Sequence, residues 1–257
     1  MTDCLCIIPA RMGSCRFPGK PLEPLLGLAL VLHVYERCAL SPGIGRTVIA
    51  TCDEAIAEAA RAHGAEVVMT ADSHPGCVDR TDEAVALIAP DMADDGLVLM
   101  VQGDEVLVSP KMCDDIIAAY DEGGSQVVNL ASKMFSREDH EGPNSVKVVT
   151  ALNGNALFFS RAAIPSPSRT PDVPMYQQTG VIGFAKSFLP KFGKLPRTPL
   201  EQIEGIDMLR TLEHGMSVRI VHTEQETIGV DTPDDLARAE KMLRHDPVTQ
   251  QYLSSLS

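Results

Sequence analysis

Short apolar runs, separated by segments of helical spacing, organise the first half of the chain. Residues 4–8 (Cys-Leu-Cys-Ile-Ile), 46–51, 66–69 and 97–101 read as strands, the last of them apolar throughout. Between them, residues 31–39, 54–63, 81–89 and 111–120 read as helices. Asp53 stands where a helix cap belongs, and Gly64 where a left-handed stop belongs. Strands with continuous apolar sequence that alternate with helices predict an α/β fold with a mostly parallel central sheet covered on both faces. Ligands of such sheets bind beyond the carboxyl ends of the strands.

The second half changes character. Residues 145–150 and 156–159 flank Asn153-Gly154, the pattern of a β-hairpin. Residues 164–174 are proline-rich and read as an irregular loop, and 177–184 as a strand holding Gly180 and Gly183. Thr198-Pro199 opens a helix expected to run to residue 213, 217–222 is a strand, and Thr232-Pro233 opens the last helix. No internal repeat and no long linker interrupts the chain, so a single domain over residues 1–257 is expected.

Composition narrows the function. A net charge of −13 over 257 residues argues against a nucleic-acid partner, which wants a basic stripe. No stretch approaches the roughly 18 apolar residues of a membrane helix. The opening apolar run is too short, and too poor in preceding cations, for a signal peptide. A cytoplasmic protein with no membrane partner is therefore expected. The seven cysteines form no Cys-x-x-Cys pair, which speaks against zinc, and Cys4 and Cys6 share one face of a strand as small core residues. His33, His63, His214 and His245 are expected at helix surfaces or helix ends.

Against that acidic background the loop after the first strand stands out. Its glycines, Gly13 and Gly19, and Ser14 let a backbone approach a ligand closely, while Arg11, Arg16 and Lys20 supply local positive charge. The plain alternative is a surface loop with solvated cations. The loop is not a Walker A sequence, because proline follows Lys20. Asp104 follows the buried strand 97–101 after a glycine, and Asp231 ends a strand-like segment just before a helix. No basic residue neighbours Asp104 in sequence, and Mg²⁺, which takes one or two carboxylates together with phosphate oxygens, would account for both acids. Each could otherwise be a turn or cap aspartate.

At this point a family resemblance becomes plain. Ile-Pro-Ala-Arg-x-x-Ser-x-Arg-x-Pro-Gly-Lys-Pro-Leu at 8–22 resembles the signature of 3-deoxy-manno-octulosonate cytidylyltransferases. Val-Gln-Gly-Asp-Glu at 101–105, Pro-Asn-Ser-Val-Lys-Val-Val at 143–149, Phe-Phe-Ser-Arg-Ala-x-Ile-Pro at 158–165, Pro-Leu-Glu-Gln-Ile-Glu at 199–204 and Val-Asp-Thr-Pro-Asp-Asp-Leu at 230–236 follow in family order. The resemblance implies a nucleotide-diphosphosugar-transferase fold, a homodimer, and CTP and Mg²⁺ as substrate and cofactor. It also implies a smaller lobe, at about 143–186, that binds the sugar acid and dimerises. The implied reaction is attack by the anomeric hydroxyl of a 2-keto-3-deoxy sugar acid on the CTP α-phosphate, releasing pyrophosphate.

Carried over by position, Arg11, Lys20, Asp104 and Asp231 are the catalytic set, with the two aspartates as metal ligands. Ala10, Arg11, Ser14, Arg16, Lys20, Arg80 and Gln102 match nucleotide-binding positions. Gln102, Arg161, Gln178, Ile182, Glu201 and Glu204 match positions around the acid. The chain departs from the family pattern at Gly76-Cys77-Val78, where Ser-Gly-Thr is usual, and at Val106, where proline is usual. Gln178 replaces a histidine and Ile182 a tyrosine. These last two changes imply a retained nucleotide half and an altered acid half. Two other classes stay open: a same-fold nucleotidyltransferase activating a different acid, phosphonate or sugar phosphate, and a nucleotide-binding module without turnover.

Overall fold

The structure, a computed structural model, describes residues 4–13, 16–169 and 173–256. The strands are β1 (Cys4–Ala10), β2 (Pro24–Leu25), β3 (Leu28–Ala29), β4 (Arg46–Thr51), β5 (Val67–Met69), β6 (Leu97–Val101), β7 (Val127–Lys133), β8 (Lys147–Thr150), β9 (Ala156–Ser160), β10 (Tyr176–Ala185) and β11 (Arg219–Thr223). The helices are α1 (Leu30–Ala39), α2 (Glu54–His63), α3 (Cys77–Ile88), α4 (Pro110–Asp121), α5 (Arg137–Glu141), α6 (Leu189–Lys194), α7 (Pro199–Glu204), α8 (Met208–Glu213), α9 (Pro233–Leu243) and α10 (Pro247–Leu256).

Alternation along β1 explains the layering. Cys4, Cys6 and Ile8 point into a core that includes residues of α1, α4 and α9, whereas Leu5 and Ile7 point into a second core with residues of α3, α6 and α8. Residues of β6 divide in the same way, with Leu97, Leu99 and Val101 on one side and Val98 and Met100 on the other. A strand buried on both faces has no polar side to show, which is why these runs are unbroken in sequence. The main path of the sheet runs β11-β7-β10-β6-β1-β4-β5. Its pairs are parallel except where β10 lies antiparallel between β6 and β7. The hairpin β8–β9 joins this sheet through β10.

Sequence reasoning missed β7 because buried polar residues interrupt its apolar run. Asn129 and Ser132 are buried, and each bonds within the fold: Asn129 to β10, Ser132 to Thr227 and Gln177. The helix expected over 198–213 is two helices, because Gly205 adopts a left-handed φ of +66° and ends α7. Helix α10, opened by Pro247, was also not anticipated. His33 is buried rather than at a surface, wedged between the Leu25 carbonyl (2.6 Å) and the Tyr252 hydroxyl of α10 (2.5 Å).

Candidate active site

The site is assembled at the carboxyl ends of β1 and β6 and beside β10. Gly19 takes φ +81° and donates its N–H to the Met12 carbonyl at 3.1 Å, which folds the basic loop back on itself. Asp53 stands at the N-cap position of α2, yet its side chain makes no cap bond there; its Oδ2 accepts from the Met12 N–H at 2.8 Å. The aspartate therefore anchors the loop to the end of β4. From a short 3₁₀ turn after Gly19, Lys20 reaches inward.

The loop after β6 is held just as firmly. Gly103 donates to the Pro9 carbonyl at 3.2 Å, and a Cβ there would come within 3.1 Å of that oxygen and 3.2 Å of the Ala10 side chain, so glycine lets the two strand ends touch. The Val230 N–H donates to the Asp104 carbonyl at 3.1 Å, which sets Asp231 beside Asp104. Lys20 Nζ lies between them: 2.6 Å from Asp104 Oδ2, 3.1 Å from Asp231 Oδ1 and 2.7 Å from the Val230 carbonyl. Arg16 closes the outer side, 2.7 Å from Asp231 Oδ2. Asp104 has no basic neighbour in sequence, and the fold supplies one 84 residues away. Burial disfavours the Lys20 charge, but Asp104 and then Asp231 more than offset this, and its pKa is raised.

Three oxygens gathered around one cationic centre also form a hard-donor set of the kind Mg²⁺ accepts, with phosphate oxygens and water left to complete its shell. Among the described residues no cluster of three or more His, Cys, Asp or Glu side chains is arranged to hold a metal ion. The two aspartates would therefore need phosphate oxygens beside them.

Gln102, Asp104, Glu105, Arg161, Gln178 and Ile182 share one cavity of ≈ 650 Å³ with Arg16, Asp231 and Glu201. Ala10 is buried at the end of β1, and Arg11, next in the chain, is exposed. Ser14 lies outside the described residues. Arg80 is buried and donates to the Thr70 hydroxyl (2.5 Å) and the Ala71 carbonyl (3.2 Å), so its guanidinium ties α3 to the end of β5. Glu201 and Glu204 likewise serve the fold. Glu201 caps α7 through the Thr198 N–H (3.1 Å) and pairs with Arg210 at 2.5 Å and Arg197 at 3.0 Å. Glu204 accepts from the Ser160 hydroxyl and the Arg161 N–H, each at 2.9 Å, and so docks α7 on β9.

Arg161 is oriented by carbonyls: its Nε donates to that of Glu204 (2.8 Å), and its Nη1 to those of Pro143 (3.1 Å) and Asn144 (3.3 Å). Behind it Lys147 is fully buried and donates to the carbonyls of Gly142 (2.6 Å), Ser145 (2.8 Å) and Arg161 (2.6 Å). The lysine of the 143–149 motif is therefore a clamp that presents Asn144, Ser145 and Arg161 to the cavity. Sequence reasoning did not single out Glu105 beyond its place in the 101–105 motif. Its Oε1 accepts from the Gly180 N–H at 2.6 Å, and burial, reinforced by the Asp104 charge, pushes its carboxyl up to about 7.

A sheet whose strand ends carry a cationic loop, with paired carboxylates behind it and a polar cavity alongside, has the arrangement of a nucleotidyltransferase. The profile of the cytidylyltransferase family matches residues 5–224. An 8-amino-3,8-dideoxy-manno-octulosonate cytidylyltransferase of Shewanella frigidimarina is 38% identical over 93% of this chain and 98% of its own length. A 3-deoxy-manno-octulosonate cytidylyltransferase of Syntrophotalea carbinolica is 40% identical over 93% and 97%. A CMP:2-keto-3-deoxy-manno-octonic acid synthetase solved in complex with CTP superposes with a TM-score of 0.87 at 29% identity, covering 95% of this chain and 99% of that one. The 4-diphosphocytidyl-2C-methyl-D-erythritol synthase of Anaerococcus prevotii, at 16% identity and a TM-score of 0.62, shares the fold. The chain belongs to the cytidylyltransferase family, and it is a nucleotidyltransferase.

Proposed function

We propose that the protein couples CTP to a 2-keto-3-deoxy sugar acid, 3-deoxy-manno-octulosonate or its 8-amino counterpart, giving the CMP-sugar acid and pyrophosphate. The observation that carries this reading is the convergence of Lys20 on Asp104 and Asp231, two aspartates that line the cavity together with Gln102, Arg161 and Gln178. In the reaction a bond forms between the anomeric oxygen and the α-phosphorus. The bond from that phosphorus to the bridging oxygen breaks, pyrophosphate leaves with the electron pair, and the hydroxyl proton is released to solvent.

The chain's own contribution is positioning and charge. Arg11, Arg16 and Lys20 offset the negative charge of the triphosphate and of the departing pyrophosphate. Arg161 and the wall of β10 orient the acid. A Mg²⁺ held by Asp104 and Asp231 would neutralise phosphate oxygens and lower the pKa of the attacking hydroxyl. The test is pyrophosphate release from CTP, UTP, GTP and ATP across a panel of sugar acids and sugar phosphates, with and without Mg²⁺. Turnover with CTP and a sugar acid is expected; inactivity of CTP with every acid would remove the reading. Asp104→Asn is expected to lower kcat/KM by about a hundredfold or more, and unchanged turnover would take the aspartate out of the mechanism.

The reading includes a cytoplasmic homodimer. It is supported by Leu152 and Leu157 of the β8–β9 hairpin, which stand exposed on the surface. Light scattering should give twice the chain mass, and Leu157→Lys should shift it toward the monomer. A wild-type monomer would refute the dimer.

A further inference from the structure

The pairing of β10 with β7 slips between Gln178 and Ile182, so that residues 179–181 stand opposite Leu130 alone. A bulge of this size frees carbonyls from the ladder, and they need donors. Asn129 supplies them: its Nδ2 lies 3.1 Å from each of the Thr179, Val181 and Leu130 carbonyls. A carbonyl can only accept, so the Asn129 amide has one permitted orientation, with Oδ1 turned the other way. That oxygen can itself only accept, and Gln178 meets it with Nε2 at 2.8 Å. The second amide is thereby oriented as well. Gln178 Oε1 has no hydrogen-bond partner among the described residues, and Gln178 lines the cavity.

The same bulge settles its other polar groups internally. The Gly180 carbonyl accepts from the Gln102 N–H at 2.9 Å, and the Gly180 N–H is bound to Glu105. A Cβ on Gly180 would come within 2.7 Å of the Gln102 side chain, so Gln102 lies flat over the glycine.

Resting on the cytidylyltransferase reading, we propose that Asn129 is a positioning residue: it locks the Gln178 amide with its oxygen toward the sugar acid, and the site thereby selects an acid that carries a hydrogen-bond donor, hydroxyl or ammonium, at that point. A freely turning glutamine would accept either a donor or an acceptor from the substrate. The buried carbonyls of the bulge remove that choice.

The experiment measures KM and kcat for CTP and for a sugar acid whose hydroxyl or amino groups are capped one at a time, as methyl ethers or the N-acetyl derivative. Wild-type enzyme is expected to lose about tenfold in kcat/KM with one capped analogue. Gln178→Leu should raise KM for the parent acid by about the same factor, abolish that discrimination and leave KM for CTP unchanged. Gln178→His should restore the acid KM to within about threefold, because an imidazole that donates to Asn129 presents its other nitrogen as an acceptor. Asn129→Leu should reproduce the Gln178→Leu pattern, and combining the two should add little further loss. Should Asn129→Leu not fold, the Gln178 variants decide alone. Discrimination that survives Gln178→Leu, or equal rises in KM for acid and CTP, would overturn the proposal. No turnover of any acid by wild-type enzyme would instead sink the reading on which it rests.

Discussion

Lys20 illustrates how much a single side chain can do in a cavity of mixed charge. Its ammonium neutralises two carboxylates that would otherwise repel one another across the β6 loop, at side-chain exposures of 20% for Asp104 and 35% for Asp231. Lys20→Met should therefore cost about 1 kcal/mol in divalent-free buffer, a modest figure because water partly screens Asp231. With CTP present to supply phosphate oxygens, Mg²⁺ or Mn²⁺ should then raise the melting temperature of the variant more than that of the wild type, since no lysine has to leave the carboxylates. A variant whose melting ignores these ions even with CTP bound would show that the two aspartates are not their ligands. Glu201 makes the opposite case. Its position was matched to the acid, and its carboxylate is buried against Arg210 and Arg197. Glu201→Gln should cost about 3 kcal/mol in a urea titration, because it strands the Arg210 guanidinium. Enzyme that still folds should keep its KM for the acid; a raised KM would return Glu201 to the substrate.

Among the elements, α10 shows a strap acting at a distance from the chemistry. Arg37 of α1 donates to Asp246 (2.6 Å) and Thr249 (3.0 Å) around the start of α10, and to the Val108 carbonyl (2.5 Å) in the segment after Asp104. His33, one turn earlier, binds Tyr252 on one side and the Leu25 carbonyl on the other. A carbonyl accepts only, so Nε2 carries the proton and Nδ1 takes one from the tyrosine hydroxyl. Burial lowers the His33 pKa below 6.5. The unfolded chain then binds the proton more readily than the folded one, so stability falls as pH drops below 6.5. A denaturation midpoint that declines between pH 6.5 and 5 is expected. The part of that decline contributed by His33 should vanish in His33→Gln, and an identical slope in the variant would exclude the histidine.

At the scale of the whole molecule, the two cores on either side of the sheet could be anticipated from unbroken apolar strands, and the crevice at their carboxyl ends from the α/β alternation. The basic loop was conspicuous because an acidic chain had concentrated three cations in it. Short-range order, patterning and local charge are properties of neighbouring residues, and so the sequence by itself determined them. It could not determine partners that lie far apart along the chain. Only the folded sheet decided that Lys20 would meet Asp104 and Asp231, that Arg80, Glu201 and Glu204 would each find partners in the scaffold, and that a buried asparagine in β7 would orient a glutamine in β10. The physical reason is that a polar side chain takes the role of whatever donor or acceptor burial places beside it, and that neighbour is set by strand order and register.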